Sequence, residues 1–117
     1  MRLCAENTSK DFELSDEEAL KILAALGDSK RFDIFRKVGE TPGLSLSQLK
    51  FGSSASTTSH HVKLLIEAGV LESARDGKHV RYNLHRGTLA SFARWAAGQA
   101  EKATLNDLTK HLFDNPI

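Results

Sequence analysis

GLSLSQLKFGSSASTTSHHVKLLIEAGVLESARDGKHVRYNL, residues Gly43 to Leu84, is the stretch whose reading decides the fold. It reads as a short helix, a polar turn, a longer helix rich in Ser and Thr that also carries His60, His61 and Lys63, and a basic hairpin closed at Asp76-Gly77. Helix, turn, helix and hairpin in this order predict a winged helix-turn-helix, mainly α with a small β wing. In such a unit the second helix is the one that enters a DNA major groove.

That helix has clear ends. Ser54 is a capping residue, and Gly69 stands where a left-handed residue would stop the helix, so it is expected over about Ala55 to Ala68. At 100° per residue Thr58, Val62 and Leu65 share one side and must face a core. Ser56, His60 and Lys63 fall on the opposite side, flanked by Thr57 and Ser59. Exposed helix faces ordinarily favour Glu, Lys, Gln and Ala, because these residues carry the helix propensity. Small hydroxyls and an imidazole instead suit close approach to base edges and phosphates. Ser54, Ser56, Thr57, Ser59, His60, His61 and Lys63 are therefore the candidate contacts of this helix.

In the hairpin, Leu71 to Arg75 and Lys78 to Leu84 flank Asp-Gly, a strong two-residue turn signal. Val80, Tyr82 and Leu84 alternate with His79, Arg81 and Asn83, which predicts one packed and one basic face. With Asp76-Gly77 as the turn, Arg75 would pair with Lys78, and two adjacent cations cost stability unless an anion lies between them. A phosphate would supply it, so Arg75, Lys78 and Arg81 complete the candidate DNA-binding set.

The order ALGDSKRFDIFRKV, LSLSQL, STTSHHVKLLIEAGVLESARDGKHVRYNL resembles the ArsR/SmtB family of bacterial winged-helix repressors over roughly residues 19–97. In that family a D-P-x-R-like helix start, an S-x-x-[ST]-x-S-x-H-L-x-x-L-like recognition helix, an E-A-G-[LV] exit and an R-x-G-x-x-x-x-Y-x-L wing follow one another. Here Ser29 replaces the proline, the segment between Leu49 and Gly52 is shorter, and Val62 stands where Leu is usual. The resemblance implies a homodimeric repressor of double-stranded operator DNA, with the first and last helices building the dimer. By the same resemblance His61 matches a recurring histidine beside the core, a packing and phosphate-contact residue.

Composition fits one domain. The chain has 117 residues, 40% of them hydrophobic, enough for a modest core that dimer burial would help. The expected organisation is a tail over 1–14, the winged domain with its dimerisation helix over 15–113, and a tail over 114–117. No apolar run suits a membrane span, the first residues lack the apolar segment of a secretory signal, and the single cysteine fits a reducing compartment. A cytoplasmic protein without membrane partners is expected. Net charge is only +1, yet residues 31–86 carry nine cations against five anions, so the excess sits in the proposed DNA-reading half.

The flanks supply scaffold. Ser15-Asp16-Glu17-Glu18 is a capping box, and Ala19, Leu20, Leu23 and Leu26 repeat at helical spacing up to Gly27. Asp28 is placed to cap a second helix in which Phe32, Phe35 and Val38 share a face before Gly39. From about Thr88 onward, Leu89, Phe92, Ala93, Ala96, Ala97, Ala100 and Ala103 mark one long face whose small side chains allow close helix approach. Leu20, Leu23, Leu89, Phe92, Ala93, Trp95, Ala96 and Ala100 are the expected dimer contacts.

The family resemblance would put cysteines for a thiophilic metal on the helix before the turn, but that helix reads Leu46-Ser47-Gln48-Leu49 and holds no thiolate, so the resemblance implies no metal site of that kind, and no other cofactor is expected. Asp107, His111 and Asp114 could present a weak metal site on the last helix, which leaves a metal-responsive repressor as an alternative reading. Cys4 is a candidate redox residue, and an organic effector is a possible partner. No Gly-rich phosphate loop, paired apolar carboxylates or nucleophile with an oriented base occurs, so no enzymatic activity is expected. A winged helix that only binds protein is a further alternative, opposed by Arg75, Lys78 and Arg81.

Overall fold

The computed structural model describes residues 13–114, with side chains through Lys110. Four α-helices, one turn of 3-10 helix and a two-stranded hairpin follow in the order α1 (Asp16–Leu26), α2 (Ser29–Glu40), 3-10 helix (Leu46–Leu49), α3 (Ala55–Glu67), β1 (Leu71–Asp76), β2 (His79–Leu84) and α4 (Arg86–Asp114). The winged helix-turn-helix is thus present.

Capping fixes the helix starts. Ser15 accepts from the Glu18 backbone N–H at 3.1 Å while the Glu18 carboxylate accepts from the Ser15 N–H at 2.9 Å, the reciprocal box expected. Asp28 caps α2 through the Arg31 N–H, and Ser54 caps α3 through the Thr57 N–H, both at 3.1 Å. Gly69, at φ +89°, ends α3 in the left-handed region that only glycine enters freely.

The core gathers Ile22, Ile34, Val38, Leu44, Leu49, Val62, Leu65, Val70 and Leu71. Thr58, Val62 and Leu65 are the buried residues of α3, as their spacing predicts. Elsewhere the packed faces differ from the periodic reading. In α1 the buried residues are Ala19, Ile22 and Ala25, whereas Leu20 and Leu23 remain 65% and 47% exposed. The two alanines let α1 lie close to α2 and α3, and the leucines turn away. In α2 the core residues are Ile34 and Val38; Phe32 is exposed, Phe35 half-buried, and the helix continues through Gly39.

The hairpin register also differs by one step. Arg75 pairs with Val80 and Asp76 with His79, so Gly77 and Lys78 form the turn in place of Asp76-Gly77. Gly77 has φ +64°, and Lys78 has no positive φ. A two-residue turn with positive φ at its first central position alone needs glycine only there, which releases Asp76 to the ladder. The shift removes the expected Arg75–Lys78 pair. It places Leu71, Ser73 and Arg75 with Leu84, Tyr82 and Val80 on one face, and Glu72 and Asp76 beside Arg81 and His79 on the other, so the face expected to be basic also carries two acids. Leu44 adds a bridge to the outer edge of β2, with the Tyr82 N–H donating to the Leu44 carbonyl at 2.9 Å.

Candidate nucleic-acid interface

The polar side of α3 lies in solvent. Ser56, Thr57, Ser59, His60 and Lys63 are all exposed, opposite the buried Thr58, Val62 and Leu65. Thr58 loses no hydrogen bond on burial, because its hydroxyl donates to the Ser54 carbonyl at 2.8 Å. The Ser54 hydroxyl is committed to capping and lies within 3.0 Å of the Thr57 hydroxyl and 3.3 Å of that of Ser56. These three hydroxyls form one cluster at the start of α3, where four backbone N–H groups point along the helix axis and favour an anion.

His61 has a different environment from its neighbour. Half-buried, it places Nδ1 3.5 Å from a terminal nitrogen of Arg31, while His60 is exposed. Arg31 also donates through Nε to the Ala25 carbonyl at 2.6 Å and through its other terminal nitrogen to the Ala24 carbonyl at 3.3 Å. It thereby satisfies the open carbonyls at the end of α1 and reaches α3. The Asp28 carboxyl is held below the usual range chiefly by the Arg31 backbone N–H, which outweighs the opposing effect of burial, with lesser help from the Arg31 and His61 side chains and the Lys30 N–H. Arg31 thus ties the C-terminal end of α1 to α3, a link to which the sequence reading assigned no role.

Phe51 precedes the α3 cap and was not among the expected site residues. It takes φ +47°, unusual for any residue with a Cβ, and its carbonyl accepts a 2.7 Å hydrogen bond from the Lys30 ammonium. The shortened turn after Leu49 thus closes through Phe51 and Gly52, at φ +47° and +83°, before α3 begins.

On the wing, Arg75 and Lys78 are exposed, and among the described residues their side chains make no ion pair. Arg81 is tied down. It donates to the Gly43 carbonyl at 3.2 Å and lies 3.5 Å from the Asp76 carboxylate, so part of its donor capacity already holds the wing to the segment before the 3-10 helix.

Of the residues singled out for assembly, Leu20, Leu23, Ala93, Ala96 and Ala100 are exposed. Leu89 and Phe92 pack against the chain's own core. The Trp95 indole N–H donates to Asp16 at 2.8 Å, and its ring stacks on Phe92 with centroids 5.8 Å apart. Leu105 and Leu108 on α4 are exposed too and were not foreseen. Cys4 lies outside the described residues, as do the side chains of His111 and Asp114; Asp107 is exposed. No described helix is long and apolar enough to cross a membrane.

No family model matches the chain. The HTH-type transcriptional regulator YgaV of Escherichia coli (strain K12) is 33% identical over 72 residues, spanning 60% of this chain and 73% of that protein. An ArsR-like transcriptional regulator from Rhodococcus sp. RHA1 has TM-score 0.71 at 26% identity, with 83% of this chain and 93% of that one covered. A homodimeric winged helix-turn-helix DNA-binding domain from Mycobacterium bovis, a possible ArsR-family regulator, shares the fold at TM-score 0.58 and 17% identity, covering 84% and 93%. These relatives are regulators and not enzymes. With the helix order, the wing and the motif order all in agreement, the chain belongs to the ArsR/SmtB family of winged helix-turn-helix transcriptional regulators.

Proposed function

We propose that the protein is a cytoplasmic homodimeric repressor that reads duplex operator DNA through α3. The observation that carries this reading is the solvent-facing row of Ser56, Thr57, Ser59, His60 and Lys63, a poor choice for a free helix face and a good one for a groove. Ser56, Thr57 and His60 contact base edges or adjacent phosphates. Arg75 and Lys78 at the wing tip hold phosphates or reach into the neighbouring minor groove, while Arg81 supports the wing as well as adding charge. Occupation of a promoter by two copies blocks transcription.

Exposed Leu20, Leu23, Leu105 and Leu108, together with the alanine row of α4, support pairing of two copies through α1 and α4. The test is a gel shift on the promoter of its own operon. A sequence-selective, salt-sensitive shift is expected, and its absence overturns the reading in favour of a protein-interaction module.

DNA binding in this proposal is independent of thiophilic metals, since the Leu46–Leu49 helix offers no thiolate. Titration of the protein on operator DNA with zinc, nickel, cadmium or arsenite should leave affinity within about threefold, below 1 kcal/mol of coupling. A tenfold release by any of them would point to Asp107, His111 and Asp114.

A further inference from the structure

We propose that the groove between the segment entering α1, Glu13 and Leu14, and the middle of α4 binds a small planar aromatic carboxylate. The cavity there has a volume of about 550 Å3, within the range that small-molecule sites occupy. Leu14, Trp95 and Gly98 give it an apolar floor, and Arg94 and Lys102 set two cations against the single carboxylate of Glu13. At 100° per residue, Arg94, Trp95, Gly98 and Lys102 fall on the side of α4 roughly opposite Ala93, Ala96, Ala97 and Ala100. The groove therefore lies on the other side of α4 from the alanine row, and Trp95, expected in the dimer seam from the sequence, lines the groove.

Three features give the groove the character of a binding site. Trp95 is held before any ligand arrives, by its hydrogen bond to Asp16 and its stack on Phe92, so an aromatic ring meets a fixed wall. Gly98 interrupts a long helix at a cost in propensity, and a Cβ there would meet nothing within 4 Å. No neighbour demands glycine at this point, and its effect is to keep the groove open. Lys102 is exposed, and among the described residues it makes no ion pair, whereas Arg94 already interacts within the chain. The Lys102 ammonium is accordingly the anchor for a carboxylate, which selects an anion over a neutral or cationic ring.

The site's effect on regulation rests on the proposed DNA-binding reading. The groove joins the segment entering α1 to α4 beside the Trp95–Asp16 hydrogen bond, and these two helices are the ones proposed to pair the copies, so a ligand there changes the presentation of the two recognition helices.

Trp95 is the chain's single tryptophan, and its emission reports the groove directly. Phenylacetate added to the full chain should change that emission saturably, with phenylacetamide about tenfold weaker or worse. Lys102→Glu should abolish the phenylacetate response, and Gly98→Leu should do so with helix content intact, because the added side chain enters open space. Lys110→Glu, outside the groove, should respond as the parent does. Equal response to acid and amide, or a full response in Gly98→Leu, overturns the site. So does no saturation up to about 10 mM phenylacetate. A gel shift in the absence of ligand separates the two proposals: an operator shift without an emission response removes the site alone, and an emission response without an operator shift keeps the site and removes the DNA reading.

Discussion

Phe51 holds a conformation that most residues avoid, and its place in the turn explains why that is tolerated. The segment between Leu49 and the α3 cap is short, the Ser53 N–H must reach back to the Lys50 carbonyl at 2.8 Å, and only a left-handed step at Phe51 and Gly52 completes the reversal. The strain costs about 1 kcal/mol, and asparagine relieves much of it while β-branched residues worsen it. Denaturation midpoints should therefore rank Phe51→Asn at or above the parent and Phe51→Val below it by about 1 kcal/mol; the reverse order would mean that Phe51 packing outweighs its backbone. For DNA reading, His60→Ala should change preference among operator variants by about 1–3 kcal/mol, and equal loss on random DNA would assign His60 to the backbone instead. Lys78→Ala should weaken all sequences alike and lower the salt slope by about one per subunit. Arg81→Ala should add a loss of stability to that uniform weakening, because it also removes the tie to Gly43 and Asp76.

At the level of elements, the helix starts are where pH enters. Glu18 is held below the ordinary carboxylate range by the Ser15 N–H and then by its hydroxyl, and Asp28 chiefly by the Arg31 N–H. A depressed folded-state pKa means that the stabilisation is complete above the unfolded value near 4 and disappears as pH falls through the lower folded value. Their contribution should thus be complete from neutrality to about pH 5 and be lost in acid, with Glu18→Gln and Asp28→Asn each making the acid loss of stability shallower; unchanged slopes would exclude these caps as a source of it. The caps were legible in the sequence because they are local: a serine or aspartate and an N–H three residues on are enough. So was α3, whose buried and exposed sides follow from one period and one glycine stop. The hairpin register was not, because either Asp76-Gly77 or Gly77-Lys78 can serve as a two-residue turn and only the backbone shows which positions take positive φ. Nor was the inner face of α1, since docking by Ala19 and Ala25 beats a leucine stripe once α2 and α3 demand close approach. The Arg31 link to His61 and to the α1 carbonyls joins residues distant in sequence, and no spacing within one helix announces it.

For the whole molecule, the decisive fact is the extent of apolar surface that one copy leaves in water. The described chain measures 67 × 42 × 23 Å, long for its size because α4 runs 29 residues from Arg86 to Asp114. Only the start of that helix packs on the core, through Ser91, Leu89 and Phe92, while the alanine row beyond, with Leu105 and Leu108, faces solvent. A helix of this length without a partner would be marginal in water, since most helical stability comes from a buried face. In the proposed dimer a second copy related by a two-fold axis would supply the same surface in return, and alanines at the contact would let the two helices approach closely. Sedimentation at micromolar concentration should therefore give twice the 12.9 kDa of the chain. Ala96→Glu places a charge in the middle of the seam without disturbing the core, since Ala96 is exposed in the single copy. It should shift the protein to monomer and reduce operator affinity more than it reduces thermal stability, because two half-sites then bind independently and the sum of phosphate contacts is lost. A persistent monomer in the parent protein would overturn the assembly, and an Ala96→Glu dimer that still binds operator would move the seam to Leu20 and Leu23 on α1.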